Sequence, residues 1–148
     1  MNGTLYLDSS IVLAAAGPAA SPHQAASARV LEAIANGDFA AVISSEVLVE
    51  CLHAAQWRHA RRQGLDLISH LQVLFPHPIP CTGAALAEAT DLLRRHPRVG
   101  IRAGLHAVLA QGTDTTEILS FDADFGLIPG LRRWEPDQVL DGQRSRAR

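Results

Sequence analysis

Polar and apolar positions along this chain alternate between two periods. Leu5-Tyr6-Leu7 is a short apolar run closing in Asp8-Ser9-Ser10, which reads as a strand with a polar carboxyl end, and Ile11 to Ala16 can start a helix directly after it. Ser21-Pro22 ahead and Asn36-Gly37 behind supply start and stop signals for a helix from about Gln24 to Ala35. Asp38 to Ser44 predicts a strand around Ala41-Val42-Ile43, and Ser44-Ser45 then offers an N-cap for a long helix reaching roughly to Arg62. Gly64 breaks that pattern. Leu65, Ile68, Leu71 and Gln72 predict a further helix, and the proline-rich passage Phe75 to Pro80 predicts a short, poorly paired strand. Thr82 can cap a helix from Gly83 to about Arg95, ended by His96-Pro97. Another runs from about Arg102 to Gln111, with Gly112 placed to take the left-handed conformation past its end. Glu117 to Phe121 completes the series as a strand. Strands that alternate with helices imply parallel pairing through crossover helices, hence an α/β fold with a mainly parallel sheet flanked by helices in three layers.

Composition narrows the picture. With 148 residues, 47% hydrophobic and 19% charged, the chain has material for one core, so residues 1–140 are expected to form a single domain. The polar residues 141–148, without apolar anchors, are expected to be a disordered tail. The longest strongly apolar stretch, Ile11 to Ala16, is far below membrane-spanning length, and the amino terminus lacks a basic region, so a cytoplasmic location without membrane contact is expected. Cys51 and Cys81 fit no close metal-ligand pattern and are expected to be buried, reduced thiols. All 13 basic side chains are arginine, the better planar phosphate ligand, but the net charge of -2 argues against a blanket nucleic-acid binder. If RNA is the partner, metal ions and local arginine clusters must offset the repulsion.

Candidate chemistry collects at strand ends. In an open parallel sheet, sites form beyond the carboxyl ends of the strands, where Asp8 and Asp122 both fall. A lone Asp after a strand is often only a turn or helix cap, but two at one rim point to a shared purpose. Glu50 lies beside the stripe Val47, Leu48, Cys51, Leu52 and Ala55 and can face inward; Glu46 lies nearly opposite and suits the helix dipole. Asp122-Ala123-Asp124 is an acid-spacer-acid turn able to hold a hard cation, with an Asx turn the plainer reading for Asp124. Arg58, Arg61 and Arg62 suit the negative end of a helix; Arg94, Arg95, Arg98 and Arg102 are candidates for RNA phosphate contacts, or else a solvated face. His106 reads as a core-edge histidine rather than a general base. Trp57 and Trp134 read as core or partner anchors.

Four segments in order, Leu7-Asp8-Ser9-Ser10, Ser44 to Glu50, Arg102 to Ala107, and Ser120 to Phe125, resemble the successive motifs of PIN-domain proteins. Gly126 to Arg133 is similar to the tail of VapC-type toxins, so the likeness runs from Leu5 to about Trp134. The resemblance implies a sheet of about five strands, an acidic pocket for Mg²⁺ or Mn²⁺, and endoribonuclease activity as the toxic member of a toxin-antitoxin pair. It implies Asp8, Glu50 and Asp122 as catalytic and metal-binding acids, Asp124 as a less regular fourth, and Ser10 as the hydroxyl that orients the first. It also implies a homodimer and a small antitoxin whose inserted segment meets the acids with a basic side chain.

One position departs from the pattern. Ala103 stands where the family has Asp, and a methyl group cannot ligate a metal. Because Arg102, Leu105, His106 and Ala107 keep the pattern, an engineered inactivating change is favoured over a naturally degenerate site or compensation by Asp124. A non-cleaving module that binds RNA or an antitoxin is the alternative function. A HAD-like phosphotransferase is disfavoured, because Ser10 occupies the place of its second Asp and the chain has no lysine.

Overall fold

The computed structural model of the chain describes residues 3–146, with side chains as far as residue 142. Its strands are β1 (Leu5–Leu7), β2 (Ala41–Val42), β3 (Glu117–Leu119) and β4 (Arg132–Trp134). They pair in the order β2-β1-β3-β4, every pair parallel, with Leu5 opposite Ala41 and Glu117. The helices are α1 (Ser9–Ala15), α2 (Gln24–Ala35), α3 (Ser45–Trp57), α4 (Arg61–Leu74), α5 (Gly83–Arg95), α6 (Ile101–Gln111) and α7 (Pro136–Arg146).

Alternation along the strands divides the core in two. Leu5, Leu7 and Leu119 join a cluster with Ile11, Val12, Val30, Ile34, Val47, Cys51 and Leu71. Tyr6 and Ile118 face the other way, against Leu92, Ala103, Ala107 and Phe125. Successive strand side chains point to opposite faces, so three residues of β1 suffice to seed both layers. The sheet has four strands among the described residues, and the proline-rich passage contributes one isolated bridge, Ile79 to Ser44. Prolines remove ladder donors, which accounts for that minimal pairing. β1 is followed by β2 on one side and lies against β3 on the other. The gap above β1 and β3 is therefore the point where the chain reverses its winding direction, the usual place for a site in such sheets.

Several elements differ from expectation. The long helix expected to reach Arg62 ends at Trp57, and α4 starts at Arg61 after a turn in which His59 takes φ 52°. Arg61 and Arg62 thus occupy the first turn of α4, the positive end of its dipole, not the negative end of the preceding helix. Gly64 does not stop a helix; it lies inside α4, where a Cβ would run into the Ala55 Cβ. Close contact between α3 and α4 requires the missing side chain. Gly112 keeps a right-handed conformation (φ -64°), and Asp114 takes the left-handed one (φ 56°) two residues later. The polar terminal stretch is helical as far as Arg146: Pro136 opens α7, Asp137 lies in its first turn, and Val139 and Leu140 are buried. Ala147 and Arg148 of the expected tail lie outside the described residues. No helix of the described residues is long and apolar enough to cross a membrane. Cys51 is buried and Cys81 partly so; neither is paired, and burial pushes the Cys51 thiol up to about 12, helped by the nearby Glu50 and Asp8 charges.

Candidate active site

Each acid is delivered by the end or face of a separate element. Asp8 follows β1 at the N-cap of α1, Glu50 projects from the middle of α3, and Asp122 follows β3 at the N-cap of a short 3-10 helix, Ala123–Leu127. These three carboxylates meet at one side chain, Arg102 in the first turn of α6. Arg102 Nη1 donates to Asp8 Oδ1 at 2.6 Å and to Glu50 Oε2 at 3.1 Å. Its Nη2 donates to Asp122 Oδ2 at 3.0 Å and, at 3.4 Å, to Asp8 Oδ2. The pocket grades from closed to open: the side chains of Asp8, Glu50, Asp122 and Arg102 are 0%, 21%, 30% and 38% exposed.

Hydroxyls hold the enclosed acid in place. Asp8 Oδ2 accepts from Ser10 Oγ at 2.6 Å and Ser120 Oγ at 2.7 Å, while Ser10 Oγ also accepts from the Phe121 N–H. Burial alone would raise the Asp8 carboxyl, yet the Arg102 guanidinium with the Ser10 and Ser120 hydroxyls holds it below the usual carboxylate range. Glu50 follows the same balance. Burial works upward, and His106, the Ser9 hydroxyl and Arg102 work downward and prevail. The Ser9 hydroxyl donates to Glu50 Oε2, and His106 Nε2 lies 3.1 Å from Glu50 Oε1.

His106 extends the site inward. It is fully buried, four residues along α6 from Arg102 and so on the same helix face. An ionised carboxylate only accepts, so Nε2 donates to Glu50, leaving Nδ1 against the Tyr6 hydroxyl at 2.6 Å. Tyr6 also reaches Ser44 Oγ at 2.6 Å, and burial pushes its phenol well above the ordinary range. Ser44, at the N-cap of α3, therefore spends its hydroxyl on Tyr6 rather than on capping. This Ser44-Tyr6-His106-Glu50 chain was not legible as a unit, because its members come from three distant segments and each has its own local reading: Tyr6 as strand core, Ser44 as a helix cap, His106 as a core-edge histidine and Glu50 as an acid beside an apolar stripe. The period of α6 was the available signal.

The remaining candidates divide. Asp124 Oδ2 accepts from the Gly100 N–H at 2.7 Å, and the Asp124 N–H donates to Asp122 Oδ1 at 3.0 Å. Asp124 thus ties the turn to the start of α6, with Gly100 leaving room a Cβ would take, 2.7 Å from that oxygen. Ala103 is buried beside Arg102 in the core layer with Tyr6 and Phe125. Arg98 lines a surface groove with Arg95, His96, Pro97 and Val99, apart from the acids. Arg94 and Arg95 bond to Asp91, and Trp57 is 86% exposed, away from any core. Trp134 is half-buried, with Arg132 stacked 4.0 Å above its ring. A separate groove between α3 and α4 is lined by Val49, Leu52, His53, Gln56 and Leu65.

Oxygen-rich pockets suit hard divalent cations. Ligand atoms of Asp8, Glu50 and His106 lie within 4.8 Å of one another, and Asp122 shares the Arg102 guanidinium with them. Because His106 Nε2 donates to Glu50, it orients that carboxylate rather than offering a lone pair. The carboxylates of Asp8, Glu50 and Asp122 fit a divalent ion in kind, and all three are engaged by Arg102.

Known proteins resemble this chain in sequence, and one solved structure in fold. Residues 5–131 match the PIN domain. A VapC ribonuclease of Mycobacterium bovis and the ribonuclease VapC13 of Mycobacterium tuberculosis are each 30% identical over 132 residues, covering 87% of this chain and 98% of theirs. Among solved structures, VapBC2 from Rickettsia felis, bound to a DNA fragment from their promoter, aligns with a TM-score of 0.69 at 18% identity. That alignment covers 90% of this chain and 98% of the other, a likeness of fold.

Proposed function

The chain belongs to the PIN-domain family, and on that premise we propose that it is a toxin-type endoribonuclease whose pocket at the β1/β3 rim takes Mg²⁺ or Mn²⁺ and cleaves RNA. One observation carries the reading: Asp8, Glu50 and Asp122, from three separate elements, bring carboxylate oxygens within 3.1 Å of one guanidinium. Carboxylates repel one another, so three gather in a half-closed pocket only where the site is built to hold a cation.

Asp8, Glu50 and Asp122 would hold the ion, with Asp124 bracing the turn that carries Asp122. A bound divalent ion supplies activation of water and neutralisation of charge on phosphoryl oxygens. The chain's own residues set the geometry. Ser10 and Ser120 aim Asp8, the Tyr6-His106 pair aims Glu50, and Asp122, 30% exposed, is the acid on the solvent side from which a phosphodiester would approach. Arg98, in its groove, is the candidate for a phosphate of the RNA backbone. The cognate partner in this reading is a small antitoxin, in keeping with the VapBC2 complex to which the fold is similar, and the working unit is a homodimer.

Ala103 gives a second reading its specific support, a PIN module that binds RNA or an antitoxin without cutting. Cleavage of a structured RNA by the unaltered chain and by Ala103→Asp, each with Mn²⁺ and with EDTA, separates the two. The nuclease reading expects the substitution to raise metal-dependent cleavage by roughly 10- to 100-fold, the cost of a misassembled metal shell. No cleavage by either protein, with RNA still bound, supports the module instead.

A further inference from the structure

We infer that Arg102 is a built-in counter-cation that occupies the pocket in place of a divalent ion, so that metal enters only by displacing its guanidinium. The inference rests on the reading of this pocket as a metal site and concerns what controls its loading.

The geometry is that of a filled site. Arg102 Nη1 is 2.6 Å from Asp8 Oδ1 and 3.1 Å from Glu50 Oε2, and Nη2 is 3.0 Å from Asp122 Oδ2. Asp8 is gripped by both ends of the planar fork. A divalent ion bound by the same oxygens would stand roughly 2.0–2.6 Å from them, in the space Nη1 and Nη2 take. Both cations cannot be present together in these positions.

Asp8 and Glu50 also have their oxygens engaged by the chain's own donors, which an entering metal would have to outcompete. Asp8 Oδ2 already accepts from Ser10 and Ser120, and Glu50 divides its oxygens between His106, Ser9 and Arg102. A long, 38% exposed arginine could instead extend into water, yet it turns inward to the three acids. Ala103 bears on the balance. A fourth carboxylate beside Arg102 would add negative charge and a further ligand, both favouring a doubly charged ion over a single guanidinium. With a methyl there, three carboxylates and one arginine come closer to compensation.

The test measures metal binding itself. Mn²⁺ alone is titrated into the unaltered chain, Arg102→Gln, Arg102→Lys and the double variant Arg102→Gln/Ala103→Asp, and free Mn²⁺ is read by electron paramagnetic resonance. Arg102→Gln is expected to bind Mn²⁺ at least tenfold more tightly than the unaltered chain, and to gain thermal stability on Mn²⁺ addition where the unaltered chain gains little. Arg102→Lys keeps the charge but loses the fork, so it should bind at least threefold more tightly, and it serves as the folded comparison should the Gln variant not fold. Equal affinity of the unaltered chain and its Arg102 variants overturns the counter-cation and leaves the metal site standing. No Mn²⁺ binding by any of the four, the double variant included, overturns the metal site and this inference with it.

Discussion

Asp8 is completely enclosed and still carries its charge, because one guanidinium and two hydroxyls lie against it. Removing the charge leaves those donors facing a poorer acceptor and Arg102 with two carboxylates instead of three. Asp8→Asn should cost ~2 kcal/mol, less than a fully buried pair because Arg102 is partly exposed. The pH dependence has a definite sign. Asp8 and Glu50 both ionise below their ordinary ranges in the folded chain, so they contribute stability above about pH 4 that is lost as pH falls through their folded values. Urea unfolding between about pH 7 and about pH 3 is expected to show a falling midpoint in the unaltered chain and a shallower fall in Asp8→Asn. Parallel curves would mean that Asp8 is not held as described. At this scale, the sequence exposed what residue type and position alone imply: Asp8 and Asp122 at strand ends, and Glu50 beside an apolar stripe. It could not show that Arg102 turns toward the acids, since an arginine in a first helical turn reads equally well as a solvent-facing phosphate contact.

Among the elements, α2 and α5 follow their punctuation closely, with Asn36 at the end of one and Thr82 capping the other. The break between α3 and α4 did not, because His59 makes the left-handed turn without a glycine or proline to mark it. Gly64 carries the opposite lesson. A glycine in a sequence reads as a breaker, but here it is kept inside a helix by the approach of Ala55. Gly64→Ala would gain about 1 kcal/mol of helix propensity and lose more to overpacking, for a net destabilisation of ~1–2 kcal/mol. Adding Ala55→Gly relieves the contact, so the double variant should recover most of the loss in chemical denaturation. If Gly64→Ala proves as stable as the unaltered chain, the close packing of α3 on α4 is mistaken. The order of elements was legible from alternation, whereas β4 and α7 went unseen: a three-residue strand at a sheet edge and a largely polar helix carry little periodicity.

Across the whole molecule, the parallel order β2-β1-β3-β4 gives the acids a common address. Asp8 and Asp122 are far apart along the chain, yet β1 and β3 are direct neighbours, and α3 leans Glu50 over the same rim. The family resemblance anticipated this convergence, which local pattern alone could not, because it depends on which strands become neighbours. It also drew attention to position 103, whose methyl lies in the core layer next to the arginine that fills the pocket. The central claim, that these carboxylates form one divalent-metal site, is tested most directly by anomalous diffraction from manganese-soaked crystals of the Arg102→Gln/Ala103→Asp chain. The account predicts a manganese peak within about 2.5 Å of oxygens from Asp8 and Asp122. A saturating soak in which those side chains are ordered and manganese is absent, or bound only elsewhere on the surface, would contradict it.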